Sequence, residues 1–138
     1  MRFRAKEIQD YLTNLSNKPY NVSIRLFNQP SSYTFPLIAI NTPKCEDYTM
    51  YSGLVKLKRV NVAIEIYAKA FSENGKIITS NDVIDDIGDW LDEVLLKKFG
   101  FKCTVTSPLL PYGDNKEVYR QVINYSGMLS NDGYIYQQ

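Results

Sequence analysis

The chain has 138 residues, with 44% hydrophobic and 22% charged side chains, a net charge of +1, two cysteines and no histidine. That size fits one domain, predicted to span residues 1–138, able to bury about 68–70% of its unfolded surface without a metal or disulfide staple. The composition excludes a disordered chain, and the balanced charge argues against a dedicated nucleic-acid binder. The lack of histidine removes the commonest general base and the commonest metal ligand.

The opening MRFRAKEIQDYL carries charge, but no apolar run of signal-peptide length follows, so no secretory signal is expected. The apolar stretches are short, as in Pro36-Leu37-Ile38-Ala39-Ile40, and no membrane span is expected. Cys45 and Cys103 are far apart and in no CxxC spacing. They read as two reduced thiols, one partly buried, with no sequence support for a disulfide.

Arg4 to Ser16 reads as a helix, because Ala5, Ile8, Tyr11, Leu12 and Leu15 form one apolar stripe. Asn17-Lys18-Pro19 ends it. Tyr20 to Asn28 alternates as a half-buried strand, and Gln29-Pro30-Ser31-Ser32 reads as a turn. Tyr33 to Asn41 follows as an extended segment that Pro36 demotes toward an edge. Thr42 to Gly53 has no clean period and reads as a long loop, a length that usually signals function or mobility.

Leu57 to Ala70 is the clearest strand: Val60, Val62, Ile64, Ile66 and Ala68 share one face, and Asn61, Glu65 and Lys69 the other. Asn74-Gly75 marks a turn, with Lys76 to Thr79 as a short return or an approach to the next helix. Asn81 to Phe99 is the strongest helix, with a face of Val83, Ile84, Ile87, Trp90, Leu91, Val94 and Leu95. Ser80 or Asn81 is its expected N-cap, and Gly100 the residue that closes it. Phe101 to Thr106 reads as a strand, Ser107 to Lys116 as a loop, and Glu117 to Met128 as another strand. Asn131-Asp132-Gly133 turns the chain into a short final strand at Tyr134-Ile135-Tyr136. The expected fold is α+β: a mostly antiparallel sheet packed by two helices, in the order α-β-β-β-α-β-β with a terminal hairpin. No repeat or linker interrupts it.

The side chains offer little chemistry. Asp82, Asp85, Asp86 and Asp89 share a helix face with Asp92 and Glu93 nearby, but no base, nucleophile or glycine-rich loop stands with them. They read as a solvated face that complements the helix dipole. Metal-dependent nucleases need Glu-x-Lys on a strand, and Glu65 and Lys69 are four apart. No phosphate-binding glycine pattern exists. The chain is therefore expected to be no enzyme, with no catalytic residue, metal or cofactor.

Lys56, Lys58 and Arg59 lie near Tyr48 and Tyr51, a mixture that suits nucleic acid, a solvated strand entrance or a protein interface. Eleven tyrosines outnumber six phenylalanines, and many fall near expected loops or strand ends: Tyr33, Tyr48, Tyr51, Tyr112, Tyr134 and Tyr136. Tyrosine suits contact surfaces and is also a good strand former.

As a whole the chain resembles the tail-terminator, or tail-completion, proteins of long-tailed bacteriophages and phage-tail-like particles. The resemblance lies in RAKEIQDYLTNL followed by PYNVSIRLF, in RVNVAIEIYAKA followed by NDVIDDIGDWLDEVL, and in FKCTVTSPLLPYGDNKEVYRQVINYSGMLSNDGYIYQ. It covers nearly the whole chain, as likeness of layout and not of a diagnostic motif. It implies a structural protein, assembled in the bacterial host cytoplasm and resident in the virion tail. Such proteins form a ring, commonly of six copies, at the head-proximal end of the tail tube, where the ring ends polymerisation and docks the neck. The implied partners are further copies of the chain, the tail tube protein and a neck or connector protein, with no membrane and no sequence-specific nucleic acid. By exposure, the expected interface residues are Tyr48, Tyr51, Lys56, Lys58, Arg59, Tyr112, Asp114, Tyr134 and Tyr136, with ring contacts on the two long loops. A head-completion connector or a small cytoplasmic binding module are the alternatives.

Overall fold

A computed structural model describes residues 3–27, 34–49, 56–112, 115–130 and 135–136. The first helix, α1, covers Ala5–Thr13 and buries Ile8 and Leu12. A short 3-10 turn at Pro19–Asn21 leads to β1, Ser23–Leu26. Strands β2 (Leu37–Ile40), β3 (Lys44–Thr49) and β4 (Lys56–Lys69) follow. A small hairpin, β5 (Phe71–Glu73) and β6 (Lys76–Ile78), turns at Asn74-Gly75, both with positive φ (51° and 78°). That pair of left-handed residues matches the twist a two-residue hairpin needs. Helix α2 spans Ser80–Phe99, and β7 (Lys102–Thr106), β8 (Leu110–Tyr112), β9 (Asn115–Ser130) and β10 (Ile135–Tyr136) complete the chain.

The fold is α+β, a mostly antiparallel sheet packed by two helices. Its spine is the antiparallel pair β4–β9, in register from Leu57–Ser130 to Lys69–Val118. Beyond β4, one margin is filled twice: β2 pairs its second half and β3 its first. Beyond β9 lie β8, β7 and β10 in turn. Among the described residues, only β1–β2 is parallel.

Alternation along β4 decides the layers. Val60, Val62, Ile64, Ile66 and Ala68 turn to both helices and join Ile38, Ile40, Ile123, Tyr125 and Leu129 in one core. Helix α2 adds Val83, Ile84, Ile87, Trp90, Leu91, Val94 and Leu95. Trp90 is 8% exposed, as its place on the apolar stripe predicts. Phe3, Phe99 and Phe101 close the base of this core with ring centroids 5.3–5.4 Å apart. The Phe101 ring packs against Gly127, where an added Cβ would stand 2.2 Å from its nearest ring atom. Gly127→Ala is therefore expected to cost about 1–3 kcal/mol through overpacking. A lowered denaturant midpoint with an unchanged slope checks this, and wild-type stability would refute the close approach.

Several elements depart from the sequence reading. Thr79, not Ser80 or Asn81, caps α2: its Oγ1 accepts the Asp82 N–H at 3.1 Å. Gly100 closes the helix at φ 69° as expected. The expected loop Thr42 to Gly53 contains β3, which escaped notice because its exposed residues lack a half-buried alternation. Its remaining residues, from 50 on, lie outside the described ones. The expected loop Ser107 to Lys116 likewise contains β8, and Asn115 already belongs to β9. Pro36 does not make β2 an edge. It precedes the strand, its carbonyl accepts the Ser23 N–H, and β2 lies fully buried between β1 and β4. The expected turns at Gln29–Ser32 and Asn131–Gly133 lie outside the described residues.

Candidate functional interface

The face of the sheet turned away from the helices carries a polar centre. Glu65 stands here in mid-β4, opposite Val122 on β9 and Ala39 on β2, and is 2% exposed. A buried carboxylate is costly unless every lone pair finds a donor. Glu65 has donors on both of its oxygens. Its Oε1 accepts from the Tyr67 hydroxyl at 2.8 Å and from Arg120 Nε at 2.6 Å, with Arg120 Nη2 at 2.5 Å. Its Oε2 accepts from Asn41 Nδ2 at 3.0 Å. Register produces this arrangement, since Tyr67 pairs directly with Arg120 across β4–β9.

Burial alone would push the Glu65 carboxyl up. The hydrogen bonds from Tyr67, Asn41 and Arg120, with the Arg120 charge, outweigh it and hold the group below its ordinary value. Burial and the Glu65 carboxylate push the Tyr67 hydroxyl up in turn. The carboxylate is thus charged at neutral pH, with three donor atoms on Oε1 and one on Oε2. It ties β4 to β9 and to Asn41, the residue that follows β2, and has no proton to give at neutral pH.

Apolar residues rim this centre. Leu37, Tyr67 and Val118 form a second small core with Phe35. Val105 and Leu110 are 61% and 59% exposed on β7 and β8, and Tyr112 is 44% exposed with its ring 4.8 Å from Tyr67. Tyrosine and arginine held rigid beside exposed aliphatic side chains is the texture of a protein contact surface.

Among the expected interface residues, Tyr112 lies on this face. Tyr48, Lys56, Lys58 and Arg59 collect at the far end of the sheet, on β3 and the start of β4. Tyr136 belongs to the same end, since its partner Met128 pairs with Arg59. Tyr112 is remote from them: Leu110 pairs with Arg120, eight residues along β9 from Met128, or about 26 Å. The expected interface residues that are described therefore fall at two separate places on the sheet. Tyr51, Asp114 and Tyr134 lie outside the described residues. The basic cluster has an acidic counterpart, with Lys58 opposite Asp47 and Arg59 opposite Glu46.

The Glu65 centre went unnoticed in the sequence, where Glu65 reads as one of the polar residues of a half-buried strand. The usable signal was its own face: Ala63 and Tyr67 flank it, and neither suits open solvent. The acidic face of α2 is also more engaged than expected. Asp86 accepts from the Tyr20 hydroxyl, and Asp92 accepts from the buried Tyr125 hydroxyl at 2.6 Å. The Asp86 hydrogen bond, followed by burial, pushes Tyr20 up to about 12. Among the described residues, no group of three or more Cys, Asp or Glu is placed to hold a metal. Cys45 and Cys103 are free, and both are exposed, where one was expected to be partly buried. Each sits on a marginal strand with no strand paired beyond it among the described residues. Among the described residues, no helix is long and apolar enough to cross a membrane.

No protein-family model matches this sequence, and no curated protein matches it.

Proposed function

We propose that this chain is a structural subunit that closes into a ring at the head-proximal end of a phage tail tube, ending tube growth and presenting a surface to the neck. The reading rests on the sequence resemblance and on one structural observation. Along the row Lys44, Asn61, Ser126 and Lys102 the order is β3-β4-β9-β7, with β10 beside β7 on the same side of β9, and both outer strands are unpaired on their far side among the described residues. A subunit with two different open margins on opposite sides can meet its neighbour head to tail. Such a heterologous contact closes into a ring when its rotation permits. The helices stay on one face, so they do not obstruct either margin. The Glu65 centre, which ties β4 to β9 and to Asn41, favours a rigid contact surface. Copies of the chain, the tube protein and a neck protein are the partners in this reading, and six copies the expected number.

Particles assembled without the chain are expected to carry over-long tails by negative-stain microscopy. A reconstruction of the intact particle is expected to place several copies where the tail meets the head. Tails of normal length in its absence, a single copy, or density at the distal tip would each refute the proposal.

A further inference from the structure

We infer that neighbouring copies join by antiparallel pairing of β7 of one copy with β3 of the next, in the register that sets Lys102 opposite Glu46 and Cys103 opposite Cys45. The inference rests on the ring reading and names the contact that makes the ring.

Strand direction comes first. From β3 through β4 and β9 to β7, each neighbour is antiparallel to the last. After four strands the direction at β7 is opposite to that at β3. A second copy placed edge to edge in the same orientation therefore continues the antiparallel pattern without interruption. The exposed residues Lys44, Cys45 and Glu46 of β3 and all of β7 are available for it. Open edges of this kind are ready templates for another strand.

Charge then selects the register. Lys44, Asn61, Ser126 and Lys102 lie in one row across the four strands. A straight continuation of that row would set Lys102 beside the next copy's Lys44, and like charges directly opposed are unfavourable. Side chains alternate between faces, so a shift must be even to keep each face consistent. A shift of two residues brings Lys102 against Glu46, an opposite-charge pair on the helix-free face. The opposite shift carries Lys102 past the start of β3, to Thr42. A closed sheet also requires stagger between its strands, which a straight row does not supply.

The same shift has an independent consequence. Cys45 pairs with Val60 and Cys103 with Tyr125, so both thiols are on the helix-facing side of the sheet. With Glu46 opposite Lys102, Cys45 falls opposite Cys103. Directly opposed residues in an antiparallel pair have Cα atoms about 4.5–5.5 Å apart, inside the range a disulfide spans. The only two cysteines of the chain then meet across the interface.

Oxidation of the purified protein at high concentration with diamide tests this. Two thiols lose two protons and two electrons to the azo bond, which becomes the hydrazide, and one disulfide forms. The expected result on a non-reducing gel is a ladder from dimer upward that collapses with reductant. Cys45→Ser and Cys103→Ser are each expected to abolish the ladder, and an equal mixture of the two variants to give dimer only. A dimer that persists in either variant alone means like edges meet, and overturns the pairing. Monomer alone from the wild-type chain overturns it as well. Lys102→Glu is expected to abolish the ladder, and Glu46→Lys added to it to restore the ladder; failure of that rescue overturns the register. A wild-type ladder together with tails of normal length in particles lacking the chain would sink the tail role while leaving the pairing intact.

Discussion

Glu65→Ala is expected to destabilise the domain by about 3–5 kcal/mol, enough to unfold a protein of ordinary marginal stability. The loss comes from the partners left behind. Arg120 keeps its charge, and the Tyr67 hydroxyl and Asn41 amide lose the acceptor they share. Glu65→Gln, which keeps the shape and one carbonyl acceptor, is expected to cost less. Denaturant unfolding of both variants checks the ranking; a Glu65→Ala protein within 1 kcal/mol of wild type would mean the network is dispensable. The same network sets a pH dependence. Glu65 is held below its ordinary value of 4.5 in the folded chain, so the unfolded chain takes up the proton first as pH falls. The contribution is fully present above about pH 4.5 and is lost as pH falls through the lower folded value. Glu65→Gln is expected to flatten that part of the stability profile.

Trp90→Ala is expected to cost about 3–5 kcal/mol as well, by a different route. The indole fills the layer between α2 and the sheet beside Ile87, Leu91 and Val94, and its removal leaves a cavity that the β4–β9 spine cannot collapse into. The indole Nε1 is buried with no hydrogen-bond partner among the described residues. Part of what Trp90 contributes by packing is therefore offset by a donor stripped of water. Trp90→Phe, which keeps most of the ring and removes that donor, is expected to retain most of the wild-type stability. Urea unfolding of the two variants separates packing from polarity. Trp90→Ala unfolding at the wild-type midpoint would place the indole outside the core, and so would wild-type emission characteristic of indole in water.

The legible parts of this fold are those where one periodicity dominates. In β4 the apolar residues alternate cleanly, and in α2 they recur with helical spacing between a polar cap and Gly100. The parts that were not legible depend on what lies beside them. β3 forms because β4 extends past the end of β2 and offers Lys56 to Asn61 as a pairing edge. Its own KCEDYT is as polar as a loop. β8 contains Pro111, which an outer strand tolerates because its far side needs no donor. The parallel pairing of β1 with β2 runs against the hairpin that a Pro-Ser-Ser turn suggests. The Glu65 centre is harder still to read. It needs Tyr67 opposite Arg120, and nothing local to either residue reports a register between strands that far apart in sequence.

That distance shapes how the molecule must form. The β4–β9 ladder joins residues between 49 positions apart, Lys69 with Val118, and 73 apart, Leu57 with Ser130. The whole of α2 lies within the chain it encloses. The helix can assemble from its own neighbours in about a microsecond, but its apolar face has nothing to settle on until that long segment loops back. β3, β7, β8 and β10 each pair with the ladder strand nearest to them in sequence and can form locally, but they join one sheet only when the ladder closes. Closing a loop of this length costs entropy before any long-range contact repays it, which places the chain with the slower-folding, high-contact-order domains. While the ladder is unformed, the apolar half of β4 stands open as a strand without a mate. A cell making many copies at once would hold that exposed segment at its highest concentration during synthesis, when the wrong neighbour is nearest.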